Sequence, residues 1–380
     1  MAMALVNARV LSAQGWREQA AVIVEGGWIR AIVAQAELAS DVPRHDLAGA
    51  TLLPGFIDCQ VNGGGGMLFN DEPNVAGIRA IGAAHRRFGT TAFLPTLISD
   101  APAKMTVAIA AVDQAITAGV PGVLGIHLEG PFISRGKKGV HAAQFLRSPD
   151  AAELHQVASL RHGKTVLTVA PECVAPDAIR ELVDAGVVVS AGHSNADGAT
   201  VRAALDAGVR GFTHLYNAMS PLTSRAPGMV GAALDDAGSW CGVIVDGHHV
   251  DPVSLRVALK AKPRGKLFLV TDAMPLVGAA NPFFVLDGET ITARDGICRT
   301  AEGRLAGSAL TMIDAVRNTV SLLDVPLDEA ARMAATYPAD FLGLGATHGR
   351  IAAGCRADFT VIDRDLRIVE TWSGGSVQKA

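Results

Sequence analysis

Apolar and polar positions follow two rhythms along this chain. In the first fifty residues, 5–11, 21–25 and 28–33 are short runs of β-type residues, the second closed by Gly26-Gly27. That spacing predicts a small antiparallel sheet. The last thirty residues read the same way, with strands predicted over 358–363 and 367–372 after a turn at Gly354. Between the ends, short continuous apolar runs alternate with helix-length stretches rich in Ala, Leu, Arg and Asp. The runs cover 51–61, 91–98, 123–128, 165–170, 187–191, 211–215, 241–245 and 266–270. Helix signals separate several of them: Pro176-Asp177 opens a helix that Gly186 stops, and Asn195 opens one closed at Gly208.

Continuous apolar strands between helices imply a parallel sheet covered on both faces, and eight repeats imply a closed (β/α)8 TIM barrel. An open doubly wound sheet is the structural competitor. The β segments at the two ends are expected to complete one small β-sandwich, so that 1–50 and 351–380 form a discontinuous unit and 51–350 the barrel. Two stretches depart from the rhythm. Residues 217–238 hold little helix after the sixth run, and 275–307 read as an inserted hairpin after the eighth; long loops at strand ends are where barrel proteins keep function.

Composition narrows the class. With 380 residues, 49% of them hydrophobic and 18% charged, the chain can bury a large core and is not disordered. The 33 basic and 37 acidic residues give a net charge of −4, which supplies no electrostatic reason to expect nucleic acid or an anionic membrane as partner. No run approaches the about 18 apolar residues of a spanning helix, and Arg9 interrupts the start before any signal-type region, so a soluble cytoplasmic protein is expected. Cys59, Cys173, Cys241, Cys298 and Cys355 are scattered without a C-x-x-C pair, which argues against a disulfide framework and a zinc ribbon.

In a barrel, chemistry sits at the carboxyl ends of the strands. The third run ends His127-Leu128-Glu129-Gly130-Pro131, the fifth Gly192-His193-Ser194, the sixth Thr213-His214-Leu215-Tyr216-Asn217, the seventh Asp246-Gly247-His248-His249 and the eighth Thr271-Asp272-Ala273. Ligand-type residues recurring at neighbouring strand ends are unlike scattered surface histidines. One carboxylate and two imidazoles make a three-ligand set with a position open for water, as in a catalytic Zn²⁺ site. Glu129, His193 and His214 are the expected ligands. Asp272 is the expected base, taking a proton from water that a bound metal has made acidic. His127, two residues before Glu129 and one layer deeper on the same strand face, reads equally as a support for the ligands or as core. On the first run, the positions where barrel hydrolases often carry H-x-H hold Gln60 and Asn62; neutral amides are poor ligands, so a second metal is disfavoured. Gly63–Gly66 lacks the Lys-Ser/Thr of a nucleotide loop and reads as a turn or as backbone near substrate. Arg135, Lys137 and Lys138 read as solvated surface, and Arg225, in the long sixth loop, as the better phosphate candidate.

Several segments together resemble the N-acetylglucosamine-6-phosphate deacetylase family of the amidohydrolase superfamily over almost the whole chain. They are Pro54-Gly55-Phe56-Ile57-Asp58 with Gln60 and Asn62-Gly63, His127-Leu128-Glu129-Gly130-Pro131, Lys138-Gly139-Val140-His141, Ser190-Ala191-Gly192-His193-Ser194, His214-Leu215-Tyr216-Asn217-Ala218-Met219, Asp246-Gly247-His248-His249 and Val270-Thr271-Asp272-Ala273. The resemblance implies a homodimer that hydrolyses the acetamide of a phosphosugar, in amino-sugar catabolism and cell-wall sugar recycling. It implies one divalent metal per subunit, Zn²⁺ first, with Fe²⁺, Co²⁺ or Mn²⁺ as alternatives, and leaves Gln60 and Asn62 as a vacant second-metal position. It also implies substrate contacts at Val140, His141, Asn217, Ala218, Arg225, His249, Leu305, Ala306 and Gly307, with Arg225 and His249 on the phosphate. Met274 stands where Thr is common in the family. Alternatives are deacetylation of N-acetylgalactosamine 6-phosphate and hydrolysis of another amide, cyclic ones included. A non-catalytic barrel would predict a degraded set of ligands, and here the set is complete.

Overall fold

The computed structural model describes residues 2–286, 288–294, 297–300, 302–303 and 305–379. Eight parallel strands stand side by side in chain order: Phe56–Val61, Thr90–Ile98, Gly125–Glu129, Lys164–Val169, Val188–Ala191, Gly211–Phe212, Trp240–Val243 and Leu267–Leu269. The last returns to the first through a parallel bridge between Val61 and Ala273, reinforced by Asn62 N–H and Gly63 N–H donating to the Ala273 carbonyl at 2.9 Å each. Helices lie between the strands, and their apolar positions recur at helical spacing. In Pro176–Asp184 the buried pair is Ile179 and Leu182; in Met312–Leu323, Met312, Val316, Thr319 and Leu323 face inward. Fully burying one such Ile or Leu contributes about 1.5–3 kcal/mol.

The strands of both termini form one sheet. From one edge it runs Ser376–Lys379, Ile368–Ser373, Phe359–Ile362, Thr51–Pro54, Met3–Ser12, Gly15–Glu25 and Trp28–Ala34, with Arg44–Asp46 also on Met3–Ser12. A register shift between Leu5 and Ala8, with Asn7 at φ +56°, breaks the two-residue alternation. Leu5, Ala8 and Val10 therefore all join the cluster around Phe359 and Trp372, while Ala4 and Val6 face the opposite side with Leu38.

Three expectations need correction. Residues 51–61 are two strands: Thr51–Pro54 belongs to the terminal sheet and Phe56–Val61 to the barrel. Gly55 marks the crossing, where any Cβ would lie 2.2 Å from Thr91 Oγ1. The helix after the fifth strand starts at Gly198, not at Asn195. Asn195 N–H is held by Glu172 Oε1 at 2.7 Å, and Asp197 is the residue whose side chain accepts from Thr200 N–H. The sixth loop does contain a helix, Gly228–Asp235; its residues through Leu234 are buried, so it has no polar face to advertise it.

The insertion after the eighth strand is an antiparallel sheet of Phe283–Leu286, Glu289–Arg294, Ile297–Arg299 and Leu305–Ser308. Gly63–Gly64 pairs with Met67–Leu68 around Gly65 and Gly66, both at positive φ, which fits the turn reading of that segment. All five cysteines are free. Among the described residues no helix is long and apolar enough to cross a membrane.

Candidate active site

The carboxyl ends of the barrel strands surround a cavity of about 170 Å³. Glu129 closes the third strand; His193, His214 and Asp272 each stand two or three residues past the fifth, sixth and eighth. These last three share a backbone feature: φ is +49°, +34° and +51°. Left-handed backbone at a residue other than glycine costs roughly 1–3 kcal/mol and concentrates where side chains must be aimed.

Glu129, His193 and His214 converge, with ligand atoms all within 4.8 Å of one another. Glu129 Oε1 is 3.1 Å from His193 Nε2 and 3.0 Å from His214 Nε2, and the two nitrogens are 3.0 Å apart. His193 Nδ1 is 2.8 Å from the Lys137 carbonyl, which can only accept. The ring therefore carries a hydrogen on Nδ1, and in its neutral form it turns a lone pair toward Glu129. A carboxylate oxygen and an imidazole lone pair 3.1 Å apart repel unless positive charge lies between them. The donor set thus fits a divalent cation, and both rings present Nε2 to it. Burial raises the Glu129 carboxyl, and positive charge at the His193 and His214 positions lowers it well below the usual range, the same demand for a cation between these groups.

Asp272 is buried at the edge of this group. Its Oδ1 accepts from Gln60 Nε2 at 3.0 Å and from Asn62 Nδ2 at 2.7 Å, and Gln60 Nε2 also reaches Glu129 Oε1 at 3.1 Å. The amides thus bind the two carboxylates together. Burial first, then the charge of Glu129, raises the Asp272 carboxyl to about 6.

His141 lines the same cavity. Its Nδ1 accepts from Ser99 N–H at 3.2 Å, with Ser99 Oγ at 2.7 Å, so the hydrogen sits on Nε2. Burial, followed by the influence of His193, lowers the ring to about 3 and keeps it neutral. Of the other expected residues, Asn62, Val140, Asn217, Ala218, His249, Leu305 and Gly307 line the cavity. Ala306, fully buried, packs instead with Met274, Phe284 and Cys298. Arg225 is exposed, outside the lining, and has no ion-pair partner among the described residues. His249 Nδ1 lies 2.5 Å from Asp246 Oδ2, a pair that leaves Nε2 for a ligand. Asp246 stands in the strand-end motif Asp246-Gly247-His248-His249, but its pairing with His249 is not written there; the contacts of the Ser99 N–H and the Lys137 carbonyl are made by backbone groups, which no residue pattern reveals.

Residues 51–379 match the amidohydrolase family and residues 3–52 the NagA composite domain. The N-acetylgalactosamine-6-phosphate deacetylase of Shewanella sp. (strain ANA-3) is 44% identical over 98% of this chain and 94% of its own length. The N-acetylglucosamine-6-phosphate deacetylase of Haemophilus influenzae is 34% identical over 99% of each chain. The crystal structure of N-acetylglucosamine-6-phosphate deacetylase from Pasteurella multocida, 36% identical, superposes with a TM-score of 0.97 over the whole of both chains. Barrel, ligand group and full-length similarity lead to one conclusion: this chain belongs to the amidohydrolase family, in its N-acetylhexosamine-6-phosphate deacetylase branch.

Proposed function

We propose that the chain is a metal-dependent deacetylase that converts N-acetyl-D-glucosamine 6-phosphate to D-glucosamine 6-phosphate and acetate, in amino-sugar catabolism and cell-wall sugar recycling. The observation that carries this reading is the acceptor-rich group Glu129, His193 and His214 beside buried Asp272, in a chain similar to deacetylases over its full length. Zn²⁺ is the ion we assign, one per subunit; Fe²⁺, Co²⁺ and Mn²⁺ suit the same donors. When bound, such an ion polarises a carbonyl and makes water acidic enough to ionise near neutral pH.

The chain's own groups do the rest. Gln60 and Asn62 occupy Asp272 Oδ1, so Oδ2 is the oxygen free to take a proton from the attacking water. Asp272 then returns that proton to the departing amine, which leaves poorly without it. His141 donates Nε2–H to the acetamide oxygen as negative charge develops there. Val140, Asn217, Ala218, Leu305 and Gly307, with the Ala306 backbone between the last two, shape the sugar site. His249, supported by Asp246, faces the phosphate from within the cavity. Arg225, on the same loop as Asn217 and Ala218 and without an ion-pair partner among the described residues, is the cation assigned to its outward side.

Residues 51–350 carry the chemistry in this proposal, framed by 1–50 and 351–380. A homodimer is part of it, with the exposed side chains of Leu222, Val253 and Val257 as apolar surface for association. The cytoplasm is the compartment where a charged sugar phosphate is retained. A second reading, N-acetylgalactosamine 6-phosphate as the preferred substrate, is favoured by the 44% identity to the Shewanella enzyme. Acetate release from both 6-phosphates and both free sugars, after metal reconstitution, tests the proposal. The larger kcat/KM assigns the epimer, and no acetate from either phosphate rejects both readings.

A further inference from the structure

One layer below Glu129, a polar chain runs through the barrel interior that the proposed reaction does not use. His127 Nε2 is 2.8 Å from Thr168 Oγ1, Thr168 Oγ1 is 2.7 Å from Thr213 Oγ1, and Thr213 Oγ1 donates to Ser190 Oγ at 2.9 Å. Counting hydrogens fixes the direction of the chain. Thr213 has spent its hydrogen on Ser190, so Thr168 donates to Thr213, and His127 Nε2–H must donate to Thr168. His127 Nδ1 is then an acceptor; the Cys59 backbone carbonyl beside the ring cannot donate, so no donor meets it.

The opposite need exists next door. His214 turns Nε2 toward Glu129 and His193, so as a metal ligand it keeps its hydrogen on Nδ1. That buried donor has only its own backbone carbonyl nearby, outside good hydrogen-bond geometry. His193 shows the usual solution, giving Nδ1–H to a backbone carbonyl. Both unpaired rings, with Cys59, Gln60, Ser190 and Thr213, line one small cavity with about 10 Å³ of room, about what a single water requires.

We propose that one buried water fills this cavity, accepting from His214 Nδ1–H and donating to His127 Nδ1, and that His127 is thereby a positioning residue for the His214 ring. A water is the one occupant that satisfies a donor and an acceptor at once in that space. The consequence is a connected series from the ligand His214 through water and His127 to Thr168, Thr213 and Ser190, which fixes the ring's orientation before metal arrives. This inference rests on the reading of His214 as a metal ligand.

The test uses the metal-loaded enzyme. Its high-resolution crystal structure should show an ordered water within hydrogen-bond distance of both Nδ1 atoms, and a dry cavity overturns the proposal. Metal retention against a competing chelator is measured in parallel for His127→Phe, His127→Gln and His214→Ala. His127→Phe should lower metal affinity by about 10- to 100-fold, the usual effect of removing an outer partner of a ligand histidine. His127→Gln, whose amide can again meet the water, should recover part of that loss. Retention in His127→Phe equal to that of the unchanged enzyme overturns the proposal. If His127→Phe does not fold, the crystal structure decides alone. Undiminished retention in His214→Ala instead rejects the ligand reading itself, which separates the two failures.

Discussion

Replacing Asp272 with Asn isolates proton transfer from everything else the residue does. Asparagine keeps an oxygen for Gln60 Nε2 and Asn62 Nδ2, which now donate to Asp272 Oδ1 at 3.0 and 2.7 Å, so the neighbours remain paired. The rise of the Asp272 carboxyl from 3.8 to about 6 corresponds to about 3 kcal/mol against its charged form. A neutral amide does not carry that cost, so thermal stability and metal content should hold. What disappears is a group that accepts a proton and then returns it. General acid–base catalysis contributes about 10²- to 10⁴-fold, which is about 3–5 kcal/mol of barrier. Because the proposed reaction uses Asp272 in both halves, kcat should fall toward the upper end of that range. The assay is acetate release at saturating substrate, with metal per chain and melting temperature measured on the same sample. A variant that keeps its metal and retains kcat within about threefold would refute the assignment, since a lost base costs at least about a hundredfold.

Other consequences follow from the same geometry. Asp272 must be ionised to act as a base, and its carboxyl is raised to about 6 by burial and then by Glu129, so its charge is lost as pH falls through that value. In the free enzyme kcat/KM should drop about tenfold per pH unit below about 6, and a profile flat down to about pH 4.5 contradicts this. His249→Ala and Arg225→Ala should each lower kcat/KM for the 6-phosphate by about 10- to 100-fold, as expected for hydrogen bonds to a charged group. Turnover of the free sugar should stay unchanged; equal losses on both substrates would remove the phosphate role. Gly307→Ala should cut both activity and melting temperature. Gly307 lies at φ +60°, and a Cβ there would sit 2.5 Å from Met274 Cγ and 3.0 Å from the Asp272 carbonyl. A Gly307→Ala enzyme with normal kinetics would show that this wall of the cavity yields.

Much of the barrel is legible in the sequence because its strands are buried on both faces, and continuous apolar runs such as 91–98 and 165–170 fit a fully covered strand far better than a half-exposed one. The grouping of Glu129, His193, His214 and Asp272 around one cavity is legible because each falls at the end of such a run. Less visible is anything that depends on three-dimensional pairing. Gln60 and Asn62 read only as missing ligands, whereas their amides hold Asp272 and Glu129 together. The tautomers of His141 and His193 depend on Ser99 N–H and the Lys137 carbonyl, backbone groups with no sequence signature. The helix Gly228–Asp235 stays hidden because a buried, Gly- and Ala-rich segment shows no amphipathic period. The boundary inside 51–61 is marked only by Pro54-Gly55, which the apolar residues on either side, Leu52-Leu53 and Phe56-Ile57, overshadow although they serve different sheets.

Metal titration of the stripped enzyme, read as acetate release from N-acetylglucosamine 6-phosphate, bears most directly on the account. Removal of metal should abolish turnover, and activity should return linearly up to one equivalent of Zn²⁺ per chain and then level off. Undiminished acetate release from metal-free protein, or recovery only at two equivalents, would contradict a single ion held by Glu129, His193 and His214.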